Sequence, residues 1–403
     1  MKLSIQILTV LLVVSAFAKA QQLPDKEISH TFYALGNTGE SNAKENLKVV
    51  LEGLENNTKN NTEQSTLLFL GNSLQTDNGE IKDVASLQLQ ASFAEAFKGN
   101  SVFISGEEEW KDGMDNLREI EKTIDDLVGK NTFQPERGCA TERIKINDEV
   151  DVIIVDSQWA IMNWDAYPTI NQHCDIKTKE EFYVELESDI KKSEGKTVIL
   201  AMHHPVESLG LTGSQFSFGV NPQDVSNVHY KELSERIITI ARQTKNVILL
   251  SAHDNSLQYF DIKGIPNIIS GSGSATSKVG TFKDGFSSSE LGFTKITQFK
   301  DGSVWVSFYD ASNQFQNAVF SKEIRPSYKM VVAQDYKEYD SPQYVSKSIY
   351  TEEELERSGF YKALWGEHYR DDYSTEIKIK TALLDTLYGC LLYTSPSPRD
   401  GLL

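Results

Sequence analysis

Short apolar runs alternate along the chain with longer stretches in which hydrophobic residues recur every three or four positions. TFYALG (Thr31 to Gly36) leads into a pattern that places Leu47, Val50, Leu51 and Leu54 on one helical face. TLLFLG (Thr66 to Gly71) leads into one with Val84, Leu87 and Phe97, and SVFISG (Ser101 to Gly106) into a third with Leu117, Ile120, Ile124 and Leu127. The runs are rich in β-branched and aromatic residues and lack polar alternation, so they predict strands buried on both faces and joined by amphipathic helices. DVIIVDSQW, TVILAMHHP and NVILLSAHDN continue the scheme, with a helix expected from about Tyr230 to Ala241. After Asn267 the pattern shifts to strands without long helices (NIISGSGS, FTKITQF, VWVSFYD), which predicts a second sheet packed on the first near the C-terminal part of one α/β domain.

Five of these runs end in unusual polar groups: Asn37, Asn72, the triplet Glu107 to Glu109, the pair His203 and His204, and His253-Asp254-Asn255. In an open α/β sheet the carboxyl ends of neighbouring strands share one crevice, so the five clusters are candidates for a single site. Histidine, carboxylate and amide groups on rigid strands suit a hard or borderline divalent cation. One histidine alone would more often be a satisfied core or loop residue. Three of the chain's seven at strand ends weigh against that reading.

Composition narrows the classes. The chain has 403 residues and a formal net charge of −18, which gives it no general attraction for nucleic acid. Lys2, the apolar run Ile5 to Val14 and the Ala18-x-Ala20 pattern form a secretory signal over residues 1–20, with the mature chain starting at Gln21. An exported chain meets an oxidising compartment, so Cys139 and Cys174 are the expected disulfide pair, with two free thiols as the alternative.

In order and spacing, the motifs GNTG, GNSLQ, GEEEW, MHHPVESLG and AHDNSLQYF resemble those of the calcineurin-like metallophosphoesterases, most closely the purple acid phosphatase branch. The resemblance covers about residues 31–310 and implies a four-layer α/β/β/α sandwich of two mixed sheets flanked by helices. It also exposes departures. Where the family holds one metal with two Asp, a Tyr and a His, this chain has Asn37, Asn72, Gln75 and Asn255. An amide is neutral, whereas a bridging carboxylate brings negative charge to two cations at once. At the other metal position Glu107 takes the place of the family's Asn beside His203 and His253, with Asn72 at the bridging place. Glu108 stands where the family has a catalytic His, and only Glu109 keeps the family's acidic residue. The resemblance so modified implies no cofactor or a single divalent metal (zinc, manganese or iron), and a dinuclear centre is not expected.

Residues 21–321 are expected to form the phosphoesterase-like domain and residues 322–389 a linker or junction. That junction resembles the one in long Bacteroidetes-type surface proteins, implying a periplasmic or cell-surface location and outer-membrane anchoring through a further C-terminal region. Residues 390–403 change composition abruptly and read as a non-native tail. Three functions follow. The first is a non-catalytic, exported binding or structural module that engages a protein partner or a phosphorylated ligand. The second is a one-metal phosphoester hydrolase using Glu107, His203 and His253, with Glu108 or His204 as general acid or base. The third is a calcium-type site built from Glu107 to Glu109 and Asp254.

Overall fold

The structure, a computed structural model, describes residues 23–129, 131–162, 173–211 and 220–327. The expected signal segment, most of the junction and the C-terminal tail lie outside the described residues. In chain order the strands are β1 (Ile28–Leu35), β2 (Ser65–Phe69), β3 (Thr76–Asp77), β4 (Glu80–Ile81), β5 (Asn100–Ile104), β6 (Phe133–Gln134), β7 (Thr141–Lys145) and β8 (Val150–Val155). They continue with β9 (Thr197–Met202), β10 (Val247–Ser251), β11 (Leu257–Ile262), β12 (Ile265–Ser270), β13 (Phe286–Ser288), β14 (Gly292–Phe299), β15 (Val304–Asp310) and β16 (Phe320–Arg325). The helices are α1 (Lys44–Thr58), α2 (Val84–Ala96), α3 (Glu107–Trp110), α4 (Met114–Val128), α5 (Ser157–Ile161), α6 (Lys179–Lys192) and α7 (Val228–Ala241).

Two seven-stranded sheets result, ordered β16-β15-β14-β1-β2-β5-β6 and β13-β11-β12-β10-β9-β8-β7, with β3 and β4 forming a small separate ribbon. Both are mixed: β1, β2, β5 and β6 run parallel in the first, and β8, β9, β10 and β12 in the second, with antiparallel strands beside them. The expected four-layer sandwich is therefore present. The strands after Asn267 do not make a sheet of their own. Strands β12 and β13 complete the second sheet and β14 to β16 extend the first. Strand β16 also carries the domain past the expected boundary at residue 321, since Arg325 pairs with Val304.

The absence of polar alternation has its cause in this layering. Along β1, Phe32 and Ala34 pack into a core between the sheets with Leu68, Ile199 and Leu250, while Tyr33 and Leu35 join the core beneath the helices. Each fully buried side chain of this size contributes about 1.5–3 kcal/mol. Most helix-face residues are buried as predicted, including Leu47, Val50, Leu51, Leu54, Leu87, Leu117, Ile120 and Ile124. Val84 and Leu127 instead face solvent, and Phe97 lies one residue beyond α2. Both residues sit in the terminal turns, where a helical stripe drifts off the core.

The sheets converge at the carboxyl ends of their parallel strands. Gly36 N–H donates to Ser270 O at 2.8 Å, and Ser270 Oγ donates to Ala34 O at 2.7 Å, so the two sheets are stitched at that edge. A Cβ on Gly36 would lie 2.3 Å from Ala252 Cβ of the opposite sheet. We therefore expect Gly36→Ala to lower stability by about 1–3 kcal/mol, measured by urea denaturation. An unchanged denaturation midpoint would show that the sheets are not in close contact there.

Candidate metal centre

The converging strand ends bring four side chains together. Glu107, His203, His204 and His253 offer ligand atoms that all lie within 4.8 Å of one another. Glu107 opens the single turn α3 after β5, the paired histidines follow β9, and His253 follows β10 in a left-handed conformation (φ 61°). Gly71, at φ +84°, passes so close to His203 that a Cβ there would sit 2.5 Å from Nδ1.

Glu107 is the centre of the cluster. Its Oε2 lies 2.7 Å from His203 Nε2 and 3.7 Å from His204 Nε2, and its Oε1 lies 3.2 Å from His253 Nδ1. Backbone carbonyls orient two of the rings. His203 Nδ1 donates to Leu70 O at 2.6 Å, and His253 Nε2 donates to Gln223 O at 3.2 Å. Their other nitrogens, His203 Nε2 and His253 Nδ1, face Glu107. Oε2 is buried 2.7 Å from His203 Nε2, a separation that requires a proton or a cation between the two atoms. Burial alone would raise Glu107, but the charges of His253 and His203 hold it well below the usual carboxylate range. Burial alone would lower His253, yet the charge and hydrogen bond of Glu107 push it up to about 9.

The donor set fits one divalent cation. Zinc–nitrogen bonds near 2.0–2.1 Å place tetrahedral ligand atoms about 3.3 Å apart. His203 Nε2 and His253 Nδ1 lie 3.3 Å apart, and each faces a different oxygen of Glu107, at 2.7 Å (Oε2) and 3.2 Å (Oε1). Carbonyl partners on the distal nitrogens are the usual support of ligating imidazoles.

The first metal position does not fit. Asn37 Nδ2 faces three acceptors, Asn255 Oδ1 at 2.7 Å, His253 O at 2.9 Å and Gly271 O at 3.0 Å. Three acceptors fix the amide nitrogen on that side, because a flipped oxygen would meet only oxygens. Gln75 Nε2 donates to Glu40 Oε2 at 3.3 Å, and Ser41 Oγ donates to Gln75 Oε1. Burial first, and then the charges of Glu108 and Glu107, raise the Glu40 carboxyl. Asn72 is likewise occupied: its Nδ2 donates to Glu107 Oε1 at 2.8 Å and its Oδ1 accepts from Glu108 N–H at 3.1 Å.

Several expected participants are placed elsewhere. Glu108 turns toward Lys111, with Oε2 3.5 Å from its ammonium, and does not join the cluster. Glu109 is fully buried and accepts from the backbone N–H groups of Gly106, Ser73 and Asn72 at 2.7, 2.7 and 3.0 Å. Burial pushes it up to about 7 against those bonds. Asp254 is buried and accepts from Ser208 Oγ. The calcium-type arrangement is therefore not formed, because Glu109 and Asp254 are committed to the chain. Cys139 and Cys174 are joined by a disulfide.

Sequence reasoning missed the residues that orient the cluster. Gln223 presents its carbonyl to His253, and its Oε1 accepts from His204 Nε2 at 2.6 Å. Gln223 Nε2 donates in turn to Gln158 Oε1 at 3.0 Å, and Ser157 Oγ lies 2.8 Å from His204 Nδ1. A lone glutamine in a loop carries no periodic or motif signal that would have revealed this.

No family model matches the chain, and no curated protein matches it. Solved structures do. GAP50, the anchor in the inner membrane complex of Plasmodium, is 15% identical at a TM-score of 0.52, over 74% of this chain and 89% of that one. The purple acid phosphatase PPD1 from yellow lupin (Lupinus luteus) seeds is 11% identical at a TM-score of 0.48, over 77% and 56%. The calcineurin-like phosphoesterase YfkN from Bacillus subtilis is 14% identical at a TM-score of 0.36, over 77% and 98%. Identities this low speak to the fold alone.

In this chain Asp156 holds the Glu107 turn in place. It caps α5 through Trp159 N–H (2.8 Å) and reaches across to accept from Ser105 Oγ (2.6 Å) and Trp110 Nε1 (2.8 Å), on either side of Glu107. Burial, opposed by these bonds, pushes its carboxyl up to about 6. A raised folded-state value means stability that is full below about pH 4 and lost as pH rises through 6. Asp156→Asn removes that dependence. We expect the stability gap between wild type and variant to narrow by on the order of 2–3 kcal/mol between about pH 4 and pH 7, read from urea midpoints. A gap independent of pH would show that burial does not dominate this carboxyl.

Proposed function

We propose that this chain is a non-catalytic module with a metallophosphoesterase-like fold, exported and acting through a binding partner instead of through hydrolysis. The observation that carries the reading is the Asn37–Asn255 amide pair at the first metal position. Two-metal hydrolysis needs both cations to clamp the attacking and leaving oxygens, and the second cation needs anionic ligands. Here Asn37 Nδ2 is hydrogen-bonded to Asn255 Oδ1 and to two backbone carbonyls, so the position offers an amide nitrogen where a metal would need an anionic oxygen.

Electrostatics support the same conclusion. A phosphoester entering the crevice would meet Glu40, Glu107 and Glu108, and three carboxylates disfavour a phosphate. GAP50 has this fold and is an anchor, so anchoring is a role the scaffold can serve in another chain. The signal-like residues 1–20 support export, and the junction resemblance supports a place at the outer membrane, with a protein partner or a phosphorylated ligand as what is bound. Among the described residues no helix is long and apolar enough to cross a membrane.

The compact Glu107–His203–His253 cluster favours the second reading, a one-metal hydrolase. A cation held there would act as a Lewis acid. The chain's own residues supply little beyond holding it. Glu108 faces Lys111, and His204 is fully buried with both ring nitrogens hydrogen-bonded, so neither is positioned as an acid or base for a substrate. The purified chain, incubated with an aryl phosphate and zinc, manganese or iron, is expected to release phosphate no faster than buffer with the same metal. A metal-dependent rate that disappears in His203→Ala would refute the non-catalytic reading.

A further inference from the structure

His204 is the member of the cluster that the family pattern leaves without a role. It is fully buried, and its Nε2 approaches the same Glu107 oxygen, Oε2, that faces His203. Its ring lies 4.5 Å from that of His253 and 5.0 Å from that of His203, between centroids. Its polar edge is bonded to Gln223 Oε1 and also faces Glu107, with Nε2 3.7 Å from Oε2, so the ring lies at the edge of the carboxylate and not merely in the packing.

We propose that His204 is a fourth protein ligand, so that Glu107, His203, His204 and His253 form a closed metal site with no position left for water or substrate. This rests on the non-catalytic reading and deepens it. A catalytic zinc keeps three protein ligands and one open position, whereas a structural zinc is enclosed by four. Exchanging the family's neutral Asn for Glu107 also suits a closed site, because the carboxylate offsets part of the charge of a cation otherwise held by three neutral imidazoles.

The surroundings allow His204 to change tautomer at small cost. Ser157 Oγ can donate to Nδ1 or accept from it, and it already accepts from His204 N–H at 3.0 Å. With the proton on Nδ1, the Nε2 lone pair is free for a cation. Only the Gln223 side chain must then withdraw, and it retains a partner in Gln158. Gln223 is thus a positioning residue that holds His204 until a metal replaces its amide oxygen.

The test loads the full chain with cobalt as a spectroscopic probe and with zinc for X-ray absorption. One cobalt retained per chain, with a visible spectrum unchanged by azide, and three imidazoles around zinc are the expected results. His204→Ala is expected to weaken metal retention roughly tenfold or more and to make the cobalt spectrum respond to azide. The zinc measurement needs only wild-type protein, so it decides the matter even where the variant does not fold. A wild-type spectrum that shifts with azide, or two imidazoles around zinc, would overturn the closed site and return attention to the one-metal hydrolase. Failure to retain either metal would also overturn it, while leaving the non-catalytic reading intact. That reading falls only to measured phosphoester turnover.

Discussion

A carboxylate held among three imidazoles at the meeting edge of two sheets is the constraint around which this structure is arranged. Removing a charge from water is costly unless it is matched, and Glu107 is matched by His203 and His253 at 2.7 and 3.2 Å. That match requires the rings to be fixed, which in turn requires Leu70 O and Gln223 O to receive their far nitrogens. Leu70 reaches His203 because β2 is followed by a left-handed glycine, Gly71, with no side chain to separate the sheets. The local backbone, the sheet convergence and the electrostatics of the cluster are one solution.

The fold was legible in the sequence because burial on both faces removes polar alternation. Strands such as VILLS and TVILAM have no exposed side and must be central in a layered α/β structure. Sheet membership was less legible. FTKITQF and VWVSFYD read as strands, but nothing local distinguishes pairing with β1 from pairing with β12, since that choice depends on long-range register. At the site, the strand-end histidines and Glu107 were identifiable because a polar cluster after an apolar run is costly without a purpose. The fates of Glu108, Glu109 and Asp254 were not. Consecutive residues in a turn point in different directions, and a backbone N–H or a distant Ser can satisfy a carboxylate without leaving any mark in the sequence.

The two halves of the crevice obey different chemistry. On one side, acidic and imidazole groups leave lone pairs that only a proton or a cation can reconcile. On the other, Asn37 pairs with Asn255, and Gln75 pairs with Glu40 and Ser41, so amide and hydroxyl hydrogen bonds replace the charged contacts. Asn37 and Asn72 both occupy left-handed backbone, at φ 52°, a conformation asparagine tolerates better than most residues. The amides therefore suit the strand ends as well as they suit each other.

These hydrogen bonds also make the amide side hard to change one residue at a time. A carboxylate at position 37 would meet three oxygens, from Asn255, His253 and Gly271, where an amide now donates. Without a cation to separate them, each contact becomes a repulsion between acceptors in a buried, weakly screened setting, where the cost of an unmatched charge is greatest. A cation could relieve it only if position 255 offered a ligand and position 72 offered charge, and both are amides engaged elsewhere. The amides at 37, 72 and 255 are held by hydrogen bonds to one another and to their neighbours, so this side of the crevice is a hydrogen-bonded pocket beside the Glu107 cluster.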